Sequence, residues 1–466
     1  GGAADYHVPH RIRDGYGMKD EVIASAAGEG VRLIVSVDTG IRAFAAAEAA
    51  ERAGVDLIVT DHHLPEAAAL PRALVVLNPN QPGCEYPCKA LCGAGVAFKV
   101  AQALLEKRGR ERVLPSFLKM LAIATIADAV PLTGENRVFA SLGLEGLRTP
   151  ANLGLKALLE VAGLDRGGPL TAGDVAFRVA PRINAAGRMD VAREVIEMFS
   201  ARDPERARQI AQRLNQLNAD RQQVETRIVE AIFQRLEEDA ALRESFCIVV
   251  EGEGWHRGVI GIAATRVVER YCRPALVLSL EGGEAHGSGR SLRSFHLLEA
   301  LESCAHLFTR FGGHAYAVGC ALPAERVPEL RATLDRYARA RLTPADFEPT
   351  LSFDGEVRLD QVTPEFFREV QRLGPFGMSN AEPVFAARGV RLAQPPLLLK
   401  EKHLKLRVMQ GGHAFDALGW RMAERLPSFQ AGDLLDLAFR VEENPNPDFP
   451  GLQLTLSDVV RFSANG

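Results

Sequence analysis

Two short β-rich runs near the N-terminus, Val31 to Val37 and Val55 to Val59, flank an alanine-rich, helix-prone stretch from Ile41 to Ala53. Strand, helix and strand within about 30 residues predict a right-handed βαβ unit. A third run, Ala73 to Leu77, ends in the turn residues Asn78-Pro79-Asn80. Gly93 to Lys107 and Ser116 to Ala129 carry helical patterns. The second is almost wholly apolar (Leu118, Met120, Leu121, Ile123, Ile126) and therefore buried. From Asp203 to Glu238, Ile210, Leu214, Leu217, Val224, Ile228, Ile232 and Leu236 keep three-to-four spacing opposite a charged face. That stripe predicts one long connector helix, and its regularity is packing rather than chemistry.

A second α/β region follows, with strands at Phe246–Val250 and Ala275–Leu280 and a helix from Gly258 to Arg270. Two glycine-rich stretches, Gly287-Ser288-Gly289-Arg290-Ser291 and Phe311-Gly312-Gly313-His314-Ala315, read as turns. From about Pro349 the period drops to two. Leu351–Phe353, Val390–Leu392, His403–Val408, Leu434–Phe439 and Leu452–Leu456 predict a small β-barrel of five strands, the OB type.

A length of 466 residues exceeds one hydrophobic core, so several domains are expected. The pattern divides them as 1–195 for the first α/β domain, 196–240 for the connector helix, 241–345 for the second α/β domain and 346–466 for the barrel. No apolar run approaches the ~20 residues of a membrane span, and the N-terminus lacks a basic-then-apolar leader. The seven cysteines are too sparse for a disulfide scaffold, which favours a reducing, cytoplasmic setting. Cys84, Cys88 and Cys92 fall four apart, but Pro87 interrupts them, and they are read as small thiols rather than metal ligands. A net charge of −4 means that any polyanion must be held by local arginines or by metal. The first residues, Ala3 to Pro9, look like an interior strand and turn, so further residues are expected upstream.

Candidate chemistry sits where the first strands end. One run leads into Asp38-Thr39-Gly40, the next into Thr60-Asp61-His62-His63. Ligands in open α/β sheets lie beyond the carboxyl ends of the strands. Neighbouring strands stand roughly 5 Å apart, so Asp38 and the Asp61/His62 pair can reach one cation. Asp128 closes the apolar helix, where an isolated charge is costly. It either caps backbone amides or binds a cation, and the company of Asp38, Asp61 and His62 favours the cation. Asp38, His62 and Asp128 form a carboxylate–imidazole set suited to Mn²⁺ or Mg²⁺. His63 is then placed to contact a scissile phosphate or protonate a leaving oxygen, and Asp61 to ligate or to orient the histidines. Phosphoester hydrolysis is the reaction class.

Three further stretches offer anion contacts. Arg11 lies in the loop His10 to Gly17, which is either a solvated turn or a phosphate grip. Arg178 to Arg188 carries Arg182, Asn184 and Arg188 around a proline turn, residue types that let a phosphate backbone approach. The two glycine-rich stretches either make plain turns or form an anion nest beside the Ser288 hydroxyl and the Arg290 guanidinium, and His314 by itself reads as a hydrogen-bonded structural histidine. Lys400, Lys402, Lys405 and Arg407 give the barrel positive charge, either for single-stranded nucleic acid or as a solvated edge.

Taken in order, Val37-Asp38-Thr39-Gly40, Thr60-Asp61-His62-His63, Thr125-Ile126-Ala127-Asp128, Arg182 to Arg188, Gly287-Ser288-Gly289-Arg290 and Gly312-Gly313-His314 resemble the DHH phosphoesterase superfamily. Within it the chain is most similar to the bacterial exonucleases that degrade single-stranded DNA from its 5′ end in repair and recombination. That resemblance spans essentially the whole chain. It implies a DHH domain, a DHH-associated domain and an OB-like barrel. It also implies a two-metal site with Asp38 bridging and His62 and Asp128 on one ion. Arg11, Ser288 and Arg290 match positions gripping the 5′-terminal phosphate, and Arg182 one that holds the DNA backbone. Gly312, Gly313 and His314 match the glycine–histidine motif of the associated domain. The expected partners are single-stranded DNA, a single-strand-binding protein and a helicase, and the expected state is a monomer. One departure is an Asp-x-Asp-Gly motif, which the family carries upstream of Asp38 as further metal ligands. Nothing here matches it, so the site is expected to be incomplete in these residues and complete in the whole protein. The rival readings are a DHH hydrolase of small substrates (oligoribonucleotides, cyclic dinucleotides or pyrophosphate) and a non-catalytic nucleic-acid binder.

Overall fold

The computed structural model describes residues 4–9, 17–66, 69–165, 168–188, 191–444 and 450–462. The chain folds as two compact units. One holds residues 17–149, 167–177 and 351–466, the other mainly residues 150–166 and 178–350.

The first unit opens with α1 (Asp20–Gly28), β1 (Leu33–Val37), α2 (Phe44–Ala53), β2 (Asp56–Thr60) and β3 (Val75–Leu77). The strands form a parallel sheet in the order β1-β2-β3, with Val37 beside Thr60 and Thr60 beside Leu77. Ala46, Ala47 and Ala50 give α2 a smooth face that lies on Leu57 and Val59. Gly54, at a left-handed φ of 64°, ends that helix so that the chain can turn into β2. Next come α3 (Gly93–Lys107), α4 (Leu114–Ala127) and α5 (Gly134–Gly146). Val96, Leu121 and Phe139 bring these three helices into one core. The apolar pattern thus marks α4 correctly, shifted by two residues because Pro115 suits a first helical turn. Residues 4–9, read as an interior strand and turn, form no strand.

The second unit contains α6 (Leu153–Val161), and after it comes α7 (Ala172–Asp174), a single turn that belongs to the first unit. The second unit resumes with α8 (Ala180–Arg188), α9 (Ala192–Ser200) and the 35-residue α10 (Pro204–Glu238), capped by the Asp203 carboxylate. The segment from Arg178 to Arg188 is therefore a helix, not the proline turn expected. Pro181 falls at the second position of α8, directly after a π-helical turn, Val175–Val179, where the regular hydrogen-bond ladder already changes register.

After α11 (Ala240–Arg243) come β4 (Ile248–Glu253), α12 (Ile260–Tyr271), β5 (Ala275–Glu281), β6 (Glu284–Arg290), α13 (Leu297–Glu302), β7 (Arg310–His314), β8 (Ala317–Pro323) and α14 (Val327–Arg339). Their sheet runs β4-β5-β6-β8-β7, parallel only between β4 and β5. Ile228, Ile232 and Leu236 of α10 pack against Ile248, Val250 and Val267, as the stripe predicts. Both glycine-rich stretches prove to be strands, β6 and β7. In β6 the glycines serve close packing: a Cβ at Gly287 would stand 2.5 Å from Cys320 Sγ, and one at Gly289 2.7 Å from Leu297 and Val318; in β7 a Cβ at Gly313 would stand 2.3 Å from the Ala317 carbonyl, while Gly312 faces open space.

The chain then returns to the first unit with β9 (Gly355–Glu356), α15 (Pro364–Gln371), β10 (Phe385–Leu392), β11 (Leu397–Leu399), β12 (His403–Gln410), β13 (His413–Gly419), β14 (Leu434–Glu443) and β15 (Leu452–Arg461). β10, β12, β13, β15 and β14 close into a five-stranded barrel, because β10 pairs with both β14 and β12. Leu404, Leu406, Val408, Leu437, Phe439 and Leu454 fill it. Two details of the strand reading change. Leu351 to Phe353 lies exposed outside any strand, and the fifth barrel strand is β13, whose alanine, aspartate and glycine mask its alternation. Within this unit Arg137 of α5 donates to the carbonyls of Leu373 (2.8 Å) and Gly374 (3.0 Å) at the end of α15. No helix among the described residues is long and apolar enough to cross a membrane.

Candidate metal centre

The carboxyl ends of β1 and β2 lie side by side because the strands are parallel and in register, which brings Asp38 next to Asp61 and His62. Asp38 takes a left-handed φ of 62°, a conformation that aspartate tolerates better than most side chains, and its amide donates to the Thr60 carbonyl at 3.0 Å. Asp128, directly after α4, completes the group. His62 Nε2 lies 3.2 Å from Asp38 Oδ1 and 3.5 Å from Asp128 Oδ2. Asp38, His62 and His63 offer ligand atoms all within 4.8 Å of one another. Asp38, His62 and Asp128, read from three separate stretches, are therefore brought together.

Asp61 does something different. It is buried, at 1% exposure, and its carboxylate is taken up by the protein. Oδ2 accepts from the Ile41 amide at 2.9 Å. Oδ1 accepts from the amides of His62 (2.8 Å) and His63 (3.2 Å) and meets His63 Nδ1 at 2.7 Å. Of the two roles open to it, orienting the histidines is the one that this geometry fits. On the far side, Asn78 Nδ2 donates to the His63 carbonyl at 2.8 Å and Asn80 Nδ2 to the His62 carbonyl at 2.7 Å.

The electrostatics favour added positive charge. The hydrogen bond that His62 donates to Asp38 outweighs burial and, with the charge of Asp128, raises the pKa of His62. Asp61 does the same for His63. Burial, reinforced by the Asp38 charge, raises the carboxyl of Asp128. For Asp61 burial acts upward, but the His63 ring and the Ile41 and His63 amides together outweigh it and lower the pKa. Protons are drawn to the place where a cation would sit, between carboxylate and imidazole donors. The residues present thus fit a hard-to-borderline divalent ion.

Gly93 also shapes the site, and the pattern that identified its helix gave it no such part. A Cβ there would stand 2.3 Å from Asp38 Oδ1, so the first turn of α3 abuts the carboxylate only because it carries no side chain. The available signal was a glycine at the first helical position, after a cysteine that supplies no side-chain cap. Along the sequence Asn78 and Asn80 read only as turn residues. Their signal was position, directly after the strand next to β2. Cys84, Cys88 and Cys92 are free thiols, as are the other four cysteines.

Of the remaining expected contacts, Ser288, Arg290, Gly312 to His314, Arg182 and Asn184 lie in the second unit. Ser288 and Arg290 share one side of β6, where Arg290 donates to Ser288 Oγ at 3.3 Å, and burial lowers the guanidinium pKa. Gly261 of α12 makes room for them, since a Cβ there would meet Ser288 Oγ at 2.8 Å. Gly312, Gly313 and His314 pair with Gly319, Val318 and Ala317 across β7 and β8. Arg182 donates to Asn215 Oδ1 (2.9 Å), to the Val161 carbonyl (3.3 Å) and to the Arg178 carbonyl, so much of its guanidinium holds the fold. Asn184 is exposed on α8. Arg11 and the side chain of Arg188 lie outside the described residues. On the barrel, Asp416 pairs with both Lys405 and Arg407 at 2.8 Å.

Three family profiles match in order: the DHH family, N-terminal domain, over residues 1–125, the DHHA1 domain over 244–340, and the RecJ OB domain over 353–458. The single-stranded-DNA-specific exonuclease RecJ of Bacillus subtilis is 37% identical over 459 residues, covering 98% of this chain and 57% of that protein. The chain thus spans little more than half of that relative. RecJ of Escherichia coli is 34% identical over 476 residues, covering 98% of this chain and 82% of the relative. Among solved structures, RecJ from Thermus thermophilus in complex with Mn²⁺ superposes with a TM-score of 0.82 at 30% identity, over 96% of this chain and 64% of the other. Its complex with Mg²⁺ gives 0.71 at 28% identity, over 96% and 70%.

Proposed function

Because the chain belongs to the RecJ family of DHH phosphoesterases, we propose that its protein is a metal-dependent exonuclease that degrades single-stranded DNA from the 5′ end. The observation that carries this reading is the placement of His62 Nε2 within 3.5 Å of the carboxylates of both Asp38 and Asp128. Asp38, His62 and Asp128 would hold the ion, Mn²⁺ or Mg²⁺, the ions in the solved Thermus complexes. Such an ion, when bound, polarises a phosphoryl group and makes water nucleophilic at neutral pH.

The chain's own groups do the rest. Asp61 holds His63 Nδ1 at 2.7 Å, which fixes the ring and keeps it protonated to a higher pH than an ordinary histidine. His63 is then the proton donor to the leaving oxygen. Ser288 and Arg290, paired on β6, take the 5′-terminal phosphate, and the barrel guides the strand. The finer parts of this reading are a monomer in the cytoplasm, where free thiols persist, acting in DNA repair and recombination. A helicase and a single-strand-binding protein would cooperate, since an enzyme confined to single strands needs duplex opened for it.

The test compares long 5′-phosphorylated single strands, duplexes and dinucleotides as substrates of the whole protein with Mn²⁺. Release of mononucleotides from the long single strand alone is expected. Cleavage confined to dinucleotides would point to a hydrolase of small substrates, and DNA binding without cleavage to a non-catalytic relative.

A further inference from the structure

Every polar backbone group of the dipeptide His62-His63 is held by a side chain. Both amides donate to Asp61 Oδ1, at 2.8 and 3.2 Å. Both carbonyls accept from asparagines, His63 from Asn78 Nδ2 at 2.8 Å and His62 from Asn80 Nδ2 at 2.7 Å. The amide orientation of Asn78 is unambiguous, because its Oδ1 accepts from the Asn80 amide at 2.7 Å and leaves Nδ2 for the histidine carbonyl. Asn78 is buried at 3% exposure. Pro79 between the two restricts the backbone, and Lys89 Nζ holds the Pro79 carbonyl at 2.9 Å.

A partly buried turn can satisfy its backbone with water or with neighbouring strands. Here it is satisfied by one carboxylate and two carboxamides, from segments up to 18 residues away. The dipeptide lies beyond the end of β2, where the sheet ladder no longer fixes the chain. A rotation of either peptide plane would swing the His62 ring off the line between Asp38 and Asp128. Asn80 contacts the peptide that carries His62, and Asn78 braces both Asn80 and His63.

We propose that Asn78 and Asn80 are positioning residues for the candidate metal centre, a clamp that sets the direction in which His62 presents Nε2. The inference rests on the reading of Asp38, His62 and Asp128 as metal-holding residues and names what keeps them aligned. Neither asparagine touches the ion. Each acts through a histidine carbonyl.

The experiment titrates the whole protein with Mn²⁺ alone, reading free Mn²⁺ by electron paramagnetic resonance, and measures the melting temperature of the metal-free protein in parallel. Asn78→Ala removes a buried brace and is liable to unfold, so the decisive variant is Asn80→Ala, which deletes a partly exposed donor. It is expected to weaken Mn²⁺ binding by about 10- to 100-fold, the range for partners that orient metal ligands, while the metal-free melting temperature stays at the wild-type value. Equal Mn²⁺ affinity in variant and wild type overturns the clamp and leaves the metal centre standing. A metal-free melting temperature that falls as far as the metal-bound one also overturns it, by showing a structural role only. A wild-type protein that binds no Mn²⁺ overturns the metal centre itself.

Discussion

The two α/β regions place chemistry by opposite means. In the first, polar side chains sit at the ends of β1 and β2, and the backbone that carries them is held by further polar side chains, Asp61, Asn78 and Asn80. In the second, Ser288 and Arg290 sit inside a strand whose backbone is already paired on both sides; the bare Gly261 makes room for them, and the bare Gly287 and Gly289 let the other face of that strand pack on Cys320, Leu297 and Val318. One region holds its site mainly by hydrogen bonds beyond the sheet, with a gap left at Gly93, and the other sets its site on a strand that packs through bare glycines. The first can therefore lose its function while keeping its fold. In the second, filling a gap strains the core directly.

The largest test of that contrast is Asp128→Ala in the whole protein. Mn²⁺-dependent cleavage of single-stranded DNA should fall by at least about 100-fold, the upper range for indirect partners of a metal, with DNA binding retained in a filter-binding assay. Gly93→Ala comes next. The new methyl competes with the Asp38 carboxylate, so Mn²⁺ affinity should drop about 10-fold or more, read by titration, while circular dichroism stays native. Gly289→Ala, the matching change in the second region, places a methyl 2.7 Å from Leu297 and Val318. It should cost about 1–3 kcal/mol in denaturant unfolding and leave Mn²⁺ affinity at the first site intact. If Gly93→Ala unfolds the protein and Gly289→Ala does not, the contrast is reversed.

The smallest effect is in pH. His62 and His63 have pKa values raised above the ordinary 6.5 by Asp38 and Asp61. Burial first, and then the Arg257 charge, lowers that of His286 on β6. In the metal-free protein the first pair contributes stability that is full below the ordinary value and is lost as pH rises through their raised values. His286 acts the other way, since below 6.5 the unfolded chain takes up a proton that the folded chain does not, and stability falls with pH. Histidine C2–H resonances followed by NMR should show the first two titrating above 6.5 and the third below it. Titration of all three together would remove the electrostatic difference between the regions.

Much of this was legible along the chain. Apolar runs ending in Asp38 and Asp61-His62-His63 located the first two strands and their chemistry, and the stripe from Ile210 to Leu236 located α10 within a residue at its start. Misreadings arose where local chemistry has two outcomes. Glycine serves turns and close packing alike, so the segments of β6 and β7 read as turns along the chain. Proline stops helices yet is tolerated near their beginnings, which hid α8. An alternating Leu351–Phe353 has the right period but no neighbour to bury it, whereas β13 has neighbours and a faint period.

The order of residues by itself determined the kinds of element and the donor types available: carboxylate and imidazole at strand ends, arginine and serine on a glycine-rich segment. Only the tertiary structure decided their partners. It set Asp128 against His62 across 66 positions of sequence, spent Asp61 on backbone amides, pressed the bare Gly93 against Asp38 and turned two asparagine amides onto histidine carbonyls. The physical reason is that hydrogen bonds and ion contacts act over a few ångströms of space, and which distant segments come within that range is settled by how helices and sheet pack, not by any local pattern.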